Sequence, residues 1–417
     1  MRARAGLALA VVSAVALTGC GDDLCPGPSE GGLCRLVRID GPAAGGQLGF
    51  RFGEPRDLDG DGAEDLVVGA RRTGTEDTGA AWAWSSAGVE LGRWRGELAL
   101  TAGLFGHVAL AVPDLDGDGA PDVVISAPNA ELDGAVRGVI DAYTLDGRRL
   151  WRAVGRPGDG FGWHIVPAGD RDGDGVGDLW AGAPSNTLTA HVYLVSGRDG
   201  QVLRTITSDR TDDQFGWYVV GLDDLDGDGV ADLAIGSPVA LVDGARRGAV
   251  RLVSGATGTT LRELVGELPG KQFGEMLAPL DDIDGDGVPD LAVGAPGGAS
   301  ADAAGGSEVH VISGATGARV RLLVGTEPGE LYGRMLARID DLDGDGVRDL
   351  AIGAPWWRGR DGRVELRSAR TSALLAEVHG AEAGWLGWHL TRADGGVWAS
   401  QLHLDHDRGA VELYQFR

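Results

Sequence analysis

The 417-residue sequence predicts an all-β fold made of one repeated unit, and three observations support this prediction. A dipeptide of an aromatic residue or Leu followed by Gly, such as Phe105-Gly106, occurs seven times at intervals of 54 to 59 residues. An Asp-rich nonapeptide begins eight residues after six of those glycines. Each nonapeptide leads into a short apolar run ending in Gly-Ala-Pro or a variant, as in residues 349–355, and such a run is typical of a buried strand.

Each repeat carries the signals for four strands. The Gly-containing dipeptide begins the first strand, and the apolar run after the Asp-rich segment forms the second. In one repeat, residues 249–253 form the third strand and residues 261–265 the fourth. The turn between them, at 254–258, contains glycines that allow the positive φ of a tight turn. A four-stranded unit of this length is typical of a propeller blade, and no stretch shows helical periodicity.

The two ends of the chain predict how the array closes. The seventh repeat, which begins at Leu386-Gly387, ends one strand short. Residues 35–39 lie just before Gly41, in the position that a fourth strand occupies in later repeats. If this segment completes the last unit, the ring closes and no long strand edge remains exposed. We therefore predict a seven-bladed β-propeller over residues 35–417, with the N-terminal strand completing the last blade.

The Asp-rich nonapeptides predict calcium loops. They carry carboxylates at positions one, three, five and nine and glycines at positions four and six, and oxygen-only ligands at this density suit Ca²⁺. An EF-hand has a bidentate Glu at position twelve, whereas this position is Val68 in the first copy, so each loop joins two strands instead of two helices. We expect about six structural Ca²⁺ ions. The predicted ligands are Asp57, Asp59, Asp61 and Asp65; Asp114, Asp116, Asp118 and Asp122; Asp170, Asp172, Asp174 and Asp178; Asp224, Asp226, Asp228 and Asp232; Asp282, Asp284, Asp286 and Asp290; and Asp341, Asp343, Asp345 and Asp349.

The dipeptide, the Asp-rich loop and the Gly-Ala-Pro run, in this register, resemble the FG-GAP repeat of integrin α-subunit propellers and of bacterial proteins with integrin-α-like propellers. The resemblance covers about residues 35–417. It implies that the ions lie on the lower face, between the first and second strands of a blade, where they brace the blades and perform no chemistry. The seventh repeat departs from the pattern, because Asp394-Gly-Gly-Val-Trp398 lacks the ligand set, and we expect no ion there.

The N-terminal residues predict export and lipid anchoring. Residues 1–19 have a basic start and an apolar core at 7–17, which is shorter than the roughly 20 residues of a membrane span. Residues 17–20, Leu-Thr-Gly-Cys, resemble the bacterial lipoprotein box, which implies that Cys20 is the lipidated first residue of the mature protein. The alternative is an ordinary signal peptide followed by a coincidental Cys. We expect an outer-membrane or cell-surface location, with the lipid as the membrane contact.

Residues 20–34 predict a short tether between the anchor and the first strand. They contain Cys25 and Cys34, separated by eight residues in a Gly/Pro-rich segment. In an oxidising compartment these two cysteines can form a disulfide, and the alternative is two free thiols. A disulfide here would stiffen the tether.

The charge of the chain excludes nucleic acid as a partner. Without Arg2 and Arg4 of the signal, 35 basic residues stand against 62 acidic ones, a formal charge of −27. The six loops hold 24 of those acids, so most of the excess negative charge is ion-binding capacity. A protein of this sign lacks the positive surface that binds phosphate backbones.

The face opposite the calcium loops is the predicted ligand face. Large aromatic residues fall there, some directly after a repeat glycine and two beside Arg358 and Arg360, and exposed aromatics with arginines suit a protein or carbohydrate partner. The alternative is that these side chains pack between blades, and the loop position of Trp356 and Trp357 makes burial of that pair harder. The ligand-face candidates are Trp163, Trp217, Trp356, Trp357 and Trp388.

Enzyme activity is the second function considered. The familiar local catalytic motifs are absent from the sequence, and we assign no catalytic residue. In the seventh repeat, His403 and Asp405 would share one strand face and could form a weak metal site or an acid–base pair, whereas the alternative is a solvated turn around them. We therefore predict a lipid-anchored, extracytoplasmic binding or adhesion protein. A surface carbohydrate-active enzyme, a lyase or hydrolase, is the alternative, and a spacer subunit is a third possibility.

Overall fold

The computed structural model of the protein describes residues 32–42, 45–72, 78–97, 103–185, 188–297 and 306–416. The predicted signal peptide, Cys20 and Cys25 lie outside these residues. Cys34 is disulfide-bonded, and its partner also lies outside them, so the pairing with Cys25 and the boundaries of the signal and tether stay predictions.

The described residues form seven four-stranded antiparallel sheets, which confirms the predicted seven-bladed β-propeller. The first strand in sequence is β1 (Leu33–Asp40). Blade 1 contains β2 (Leu48–Phe52), β3 (Leu66–Ala70), β4 (Ala80–Trp84) and β5 (Glu90–Arg95). Blade 2 contains β6 (Ala109–Val112), β7 (Asp122–Ala127), β10 (Val139–Tyr143) and β11 (Arg149–Val154), with the hairpin β8 (Glu131–Leu132) and β9 (Ala135–Val136) inserted. Blade 3 contains β12 (His164–Gly169), β13 (Asp178–Ala183), β14 (Thr189–Val195) and β15 (Val202–Thr211).

The remaining blades repeat this order. Blade 4 contains β16 (Val219–Gly221), β17 (Leu233–Ser237), β20 (Ala249–Val253) and β21 (Thr260–Val265), with the hairpin β18 (Leu241–Val242) and β19 (Ala245–Arg246) inserted. Blade 5 contains β22 (Met276–Pro279), β23 (Leu291–Ala295), β24 (Glu308–Ile312) and β25 (Arg319–Val324), and blade 6 contains β26 (Met335–Arg338), β27 (Leu350–Ala354), β28 (Arg363–Arg367) and β29 (Leu374–His379). Blade 7 contains β30 (Leu386–Ala393), β31 (Gly396–Gln401) and β32 (Ala410–Phe416) and is completed by β1.

The N-terminal strand closes the ring, as the sequence predicted. Strand β1 pairs antiparallel with β32 from Leu33 opposite Phe416 to Asp40 opposite Ala410, with one bulge between Arg35 and Val37. The chain therefore supplies the missing fourth strand of its last blade from its own N-terminal end, and the edge of β32 is covered.

Close contacts of the backbone explain why the repeat has Gly at two positions of each blade. In blade 5, the Gly274 N–H donates to Gly294 O at 3.1 Å, which pairs the two repeat glycines of the same blade. A Cβ placed on Gly294 would stand 2.4 Å from Gly333 O in the next blade. The second-strand glycine therefore allows backbone-to-backbone packing between blades, while the first-strand glycine adopts a positive φ, as in Gly274 at 89°.

The hydrophobic core lies between neighbouring blades. The second strands, such as β3, β17, β23 and β27, are buried along their whole length, because each is covered by a blade on both faces. The fourth strands, such as β21 and β25, expose alternate residues at the outer rim. The Asp loops and the repeat glycines therefore stand at opposite ends of a rigid wheel.

Two four-residue helical turns interrupt the strands of the described residues, α1 (Trp357–Arg360) and α2 (Leu404–Asp407). Neither approaches the length of about 20 apolar residues that a bilayer crossing requires. Turn α2 agrees with the turn that the sequence analysis gave as the alternative for this cluster: His403 and Asp405 do not share a strand face, because the chain leaves β31 at Gln401 and forms this turn before β32 begins.

Candidate functional site

The Asp loops lie where the first strand of a blade crosses to its second strand, in blades 1 to 6. We call this end of the wheel the lower face, and the end with the repeat glycines the upper face. In blade 7 the strands β30 and β31 are joined by a tight turn at Asp394 and Gly395, as expected from the missing loop.

Backbone hydrogen bonds fix the first carboxylate of each loop. In the second loop, Asp114 Oδ1 accepts from Gly117 N at 2.6 Å, and Asp114 Oδ2 accepts from Gly119 N at 2.7 Å. Both glycines have positive φ, 85° and 90°, which curls the backbone around this carboxylate. The hydrogen bond from Gly119 lowers the pKa of Asp114, so this group is ionised at neutral pH.

The ninth-position carboxylate has a different environment, because it is buried beneath the loop. Asp232 is fully buried, and its Oδ2 accepts from Leu225 N at 2.7 Å while its Oδ1 accepts from Gly255 N at 2.9 Å. Gly255 belongs to the turn between the third and fourth strands of the same blade, so this Asp ties the loop to that turn. Burial raises the pKa of the ninth-position groups, to about 6 for Asp122 and Asp349.

Carboxylate oxygens converge as a cation site requires in the loops that begin at Asp57, Asp114, Asp170, Asp224 and Asp282. In the second loop, one oxygen each from Asp114, Asp116 and Asp122 lie within 4.8 Å of one another. Positions one, three and nine also converge in the loops at Asp170, Asp224 and Asp282, whereas the first loop brings together Asp57, Asp59 and Asp61. The donors are all hard oxygens, and their mutual repulsion contributes to the raised pKa of Asp122, so the residues fit Ca²⁺. The individual ligand assignments stay predictions.

The residues that follow the repeat glycines form a ring around the axis at the upper face. Their contacts run from blade to blade: Trp217 to Trp163 at 4.7 Å, Trp163 to His107 at 4.6 Å, His107 to Phe50 at 4.9 Å, and Phe50 to Trp388 at 5.9 Å between ring centroids. The guanidinium of Arg334 lies 4.5 Å from the centroid of Trp388, and its Nε lies 3.3 Å from Glu275 Oε1. We call these seven residues, Phe50, His107, Trp163, Trp217, Glu275, Arg334 and Trp388, the axial ring.

A second group of aromatics extends the axial ring outward over blades 6 and 7. Trp385 contacts Trp388 at 5.4 Å, Trp356 at 5.7 Å and His403 at 3.8 Å between centroids. The exposed Arg360 lies over Trp356 at 4.8 Å and over Trp385 at 5.4 Å. We call Trp356, Trp385, Arg360 and His403 the outer arc. Sequence reasoning missed Trp385 and the ring members Phe50 and His107, although the two ring members follow a repeat glycine as Trp163 does.

Four of the five ligand-face candidates are partly exposed on this surface: Trp163, Trp217, Trp356 and Trp388. The indole Nε1 atoms of the first three are buried and lack a hydrogen-bond partner among the described residues, so the accessible part of each of those rings is carbon. These residues therefore offer flat apolar contacts to a partner.

Trp357 is the exception and corrects the expectation that this loop position disfavours burial. Its side chain is only 5% exposed and packs against His379 at 4.3 Å. Arg358 and Gly359 have positive φ, 46° and 74°, so the chain folds back and places the indole beneath the loop. Trp357 therefore stabilises the loop and is not part of the ligand face.

His403 of the seventh repeat belongs to the outer arc. His403 Nδ1 and Asp407 Oδ1 are 2.5 Å apart, and the imidazole packs on Trp385. The contact with Asp407 orients the ring of His403 beside the exposed aromatics, in the turn that replaces the predicted strand.

Comparison with known proteins agrees with the repeat register. A model of the FG-GAP-like repeat matches residues 57–125, and a model of the FG-GAP repeat matches residues 216–253, 273–312 and 338–364. Integrin alpha-PS5 of Drosophila melanogaster is 35% identical over 190 residues, which cover 42% of this chain and 18% of that protein. Integrin alpha-4 of Xenopus laevis is 32% identical over 192 residues, covering 42% and 18%, and Integrin alpha-V of Gallus gallus is 32% identical over 213 residues, covering 47% and 20%.

The chain spans about a fifth of the length of these relatives. The similarity therefore concerns the repeat region and not the whole of those proteins. The family-model matches include five of the six Asp loops, those that begin at Asp57, Asp114, Asp224, Asp282 and Asp341, and the repeat glycines Gly106, Gly216 and Gly274. The chain is a seven-bladed β-propeller built from FG-GAP repeats, the repeat type of the integrin alpha relatives that it matches.

Proposed function

We propose that this protein is a calcium-stabilised, lipid-anchored binding or adhesion protein of the cell exterior. Its upper face recognises a protein or carbohydrate partner, and about six Ca²⁺ ions brace the lower face. The observation that carries the proposal is the set of partly exposed aromatic side chains on the axial ring and the outer arc, Trp163, Trp217, Trp356, Trp385 and Trp388. Cys20 provides the anchor, on the outer membrane or cell surface.

The chemistry of the upper face favours binding. Partly exposed indoles whose polar Nε1 atoms point inward present carbon surfaces, which contact apolar side chains or the faces of sugar rings. The exposed Arg358 and Arg360 stand beside them, and guanidinium groups supply hydrogen bonds to carboxylates and hydroxyls. Since bound partners bury aromatic and arginine anchors preferentially, this composition suits a recognition surface.

The seventh blade does not supply the acid–base pair that the sequence offered for a carbohydrate-active enzyme. The chain at His403 and Asp405 forms a turn instead of one strand, and the enzyme alternative then rests on the propeller scaffold alone, since a fold does not determine function. His403 pairs with Asp407 and packs on Trp385, so it contributes to the aromatic surface.

A binding experiment tests the proposal directly. The purified protein is applied to a glycan array and used to capture proteins from surface extracts, and the strongest ligand is then titrated against Trp356→Ala and Trp388→Ala. We expect each variant to lose at least tenfold in affinity, because each removes an aromatic contact of the upper face.

A matched control separates the upper face from general surface hydrophobicity. Leu322 is 40% exposed on the outer rim of blade 5, so Leu322→Ala should leave the affinity unchanged. Melting curves of all three variants check that the fold is intact. Unchanged affinity of both Trp variants, or release of a chemically altered ligand, would contradict the proposed function.

A further inference from the structure

A cavity of about 390 Å³ lies on the axis of the wheel, directly beneath the axial ring. Side chains from the first-strand segments of all seven blades line it. In six blades the lining begins with the residue that follows the axial-ring position, such as Arg51 after Phe50 and His389 after Trp388, and in blade 5 it begins at Leu277. The axial ring therefore closes the cavity toward the upper face. At the other end, the exposed Glu54 and the partly exposed Arg338 and Arg392 form a rim at the lower face.

Arg51 is the unusual residue of this cavity. Its side chain is 5% exposed, and its Nη1 atom is fully buried without a hydrogen-bond partner in the described part of the chain. No ion pair within 4.0 Å joins Arg51 to an acidic residue described by the structure. The nearby carboxylate of Glu275 is engaged with Arg334, 3.3 Å from its Nε. Arg51 is thus a buried cation whose neighbouring acid already has a partner.

An unpaired buried guanidinium raises the free energy of the folded protein unless an anion binds beside it. Burial lowers the pKa of Arg51 to about 10, so the guanidinium still carries its charge at neutral pH. A buried charge without a counter-ion is strongly unfavourable, and one that persists in a folded protein is normally paired. The cavity beside Arg51 provides the room for such a partner.

The other lining groups indicate what kind of anion fits. The ring of Tyr218 lies 5.6 Å from the Arg51 guanidinium and 3.9 Å from the imidazole of His164. The walls below these residues are apolar, formed by side chains such as Leu277, Leu336 and Leu390. Polar groups at the closed end and hydrocarbon walls directly below them match a carboxylate with an apolar body better than a phosphate, which needs donors on every side.

We propose that the axial cavity is a binding site for a small carboxylic acid with an apolar body, whose carboxylate pairs with Arg51. The ligand enters from the lower face, between the Asp loops, because the axial ring closes the upper end. This site is separate from the upper-face surface, so the inference does not rest on the proposed function.

Calorimetric titration with hexanoate tests the site, with hexanamide as the uncharged probe of equal size and calcium and ionic strength held constant. We expect hexanoate to bind at least tenfold more tightly than hexanamide. Arg51→Gln should abolish this preference, whereas Arg95→Gln, which removes an exposed arginine from the outer strand of blade 1, should retain it.

Thermal unfolding supplies a second measurement, and its expected result differs from the result for an Arg51 that has only a structural role. Without hexanoate, Arg51→Gln should melt at the same or a higher temperature than the parent, because it removes an unpaired buried charge. With hexanoate, only the parent and Arg95→Gln should be stabilised. Equal binding of hexanamide and hexanoate, retained preference in Arg51→Gln, or equal stabilisation of the parent by chloride alone would overturn the proposal.

Discussion

Arg35 Nη1 donates to Glu412 Oε1 at 2.8 Å and so joins the first strand of the chain to the last. The Glu412 side chain is completely buried, and its Oε2 also accepts from Gln401 Nε2 at 2.7 Å and from Tyr414 Oη at 2.5 Å. Arg35 remains 28% exposed, so water still solvates part of the cation. The ring is therefore closed by strand pairing and by one buried acceptor that three side chains share.

The first prediction concerns this closure. Glu412→Ala should lower the free energy of unfolding by about 3 kcal/mol, because it leaves the buried Gln401 and Tyr414 without their acceptor and Arg35 without its counter-charge. Urea unfolding measures the change. Glu90→Ala is the control, since Glu90 pairs with Arg93 on the surface and such pairs contribute at most about 1 kcal/mol. Equal losses in the two variants would show that the buried acceptor has no special role.

The second prediction concerns the packing of repeat glycines. A Cβ on Gly353 would stand 2.2 Å from Gly387 O, so Gly353→Ala must push blades 6 and 7 apart and should cost about 1 to 3 kcal/mol. Gly221→Ala is the matched control, because a Cβ there meets nothing within 4 Å and the φ of Gly221 is not positive. Thermal unfolding compares the two variants. A stable Gly353→Ala protein would contradict the backbone-to-backbone packing between blades.

Much of this packing could be predicted from the sequence, because the spacing of residues along the chain is enough to give the register of the repeats. The spacing of Gly333 and Gly387 fixes where successive blades begin, and the position of residues 35–39 before Gly41 indicates a fourth strand that precedes the first complete blade. The convergence of residues on the axis was harder to foresee. Phe50, His107 and Trp163 are neighbours only because seven blades close around one axis, and no local pattern encodes that contact.

Other features depend on conformations that residue type does not determine. Trp357 is buried because Arg358 adopts a positive φ, which is uncommon for a residue with a side chain. Arg51 lacks an acidic partner among the described residues because Glu275, in another blade, is already paired with Arg334. Sequence spacing predicts the strands on which such residues lie, whereas their side-chain contacts depend on how the closed ring brings different blades together.

The third prediction concerns calcium. Chelation should lower the melting temperature, because ions that bind only the folded state add about 1.4 kcal/mol per site at ten times the dissociation constant. We expect the melting temperature to change with calcium mainly between about 10⁻⁴ and 10⁻³ M free Ca²⁺, the range in which other extracellular loops bind the ion. Differential scanning calorimetry over a calcium series measures it.

A variant assigns the calcium effect to the loops. Asp224→Asn removes the first-position carboxylate of one loop, whose oxygens accept from Gly227 N and Gly229 N at 2.7 Å, and should reduce the calcium-dependent stabilisation. Asp199→Asn, on an exposed turn, should not change it. A melting temperature indifferent to chelator would contradict structural ions.

The fourth prediction concerns His389, which lies in the axial cavity and is buried as the neutral imidazole. Its Nε2 lies 2.7 Å from Phe52 O, and burial lowers the pKa of His389 from 6.5 to about 3. Between these values the unfolded chain binds a proton that the folded protein does not, so this residue's contribution to stability falls as the pH decreases below 6.5. The variant His389→Gln has no imidazole at this position and therefore lacks this pH-dependent loss. The difference between its free energy of unfolding and that of the parent should narrow by about 1.4 kcal/mol per pH unit below 6.5.

Urea unfolding of the parent and His389→Gln between pH 7.5 and 4.5, at saturating calcium, measures this change. The control is Leu390→Ala, which removes a neighbouring apolar side chain from the same strand without removing a titrating group. Its stability difference from the parent should be constant over the same pH range, because both proteins then keep the same set of protons. If the difference for His389→Gln is equally constant, the imidazole of His389 must be able to take up a proton in the folded protein, and the axial cavity must then admit water freely to its upper end.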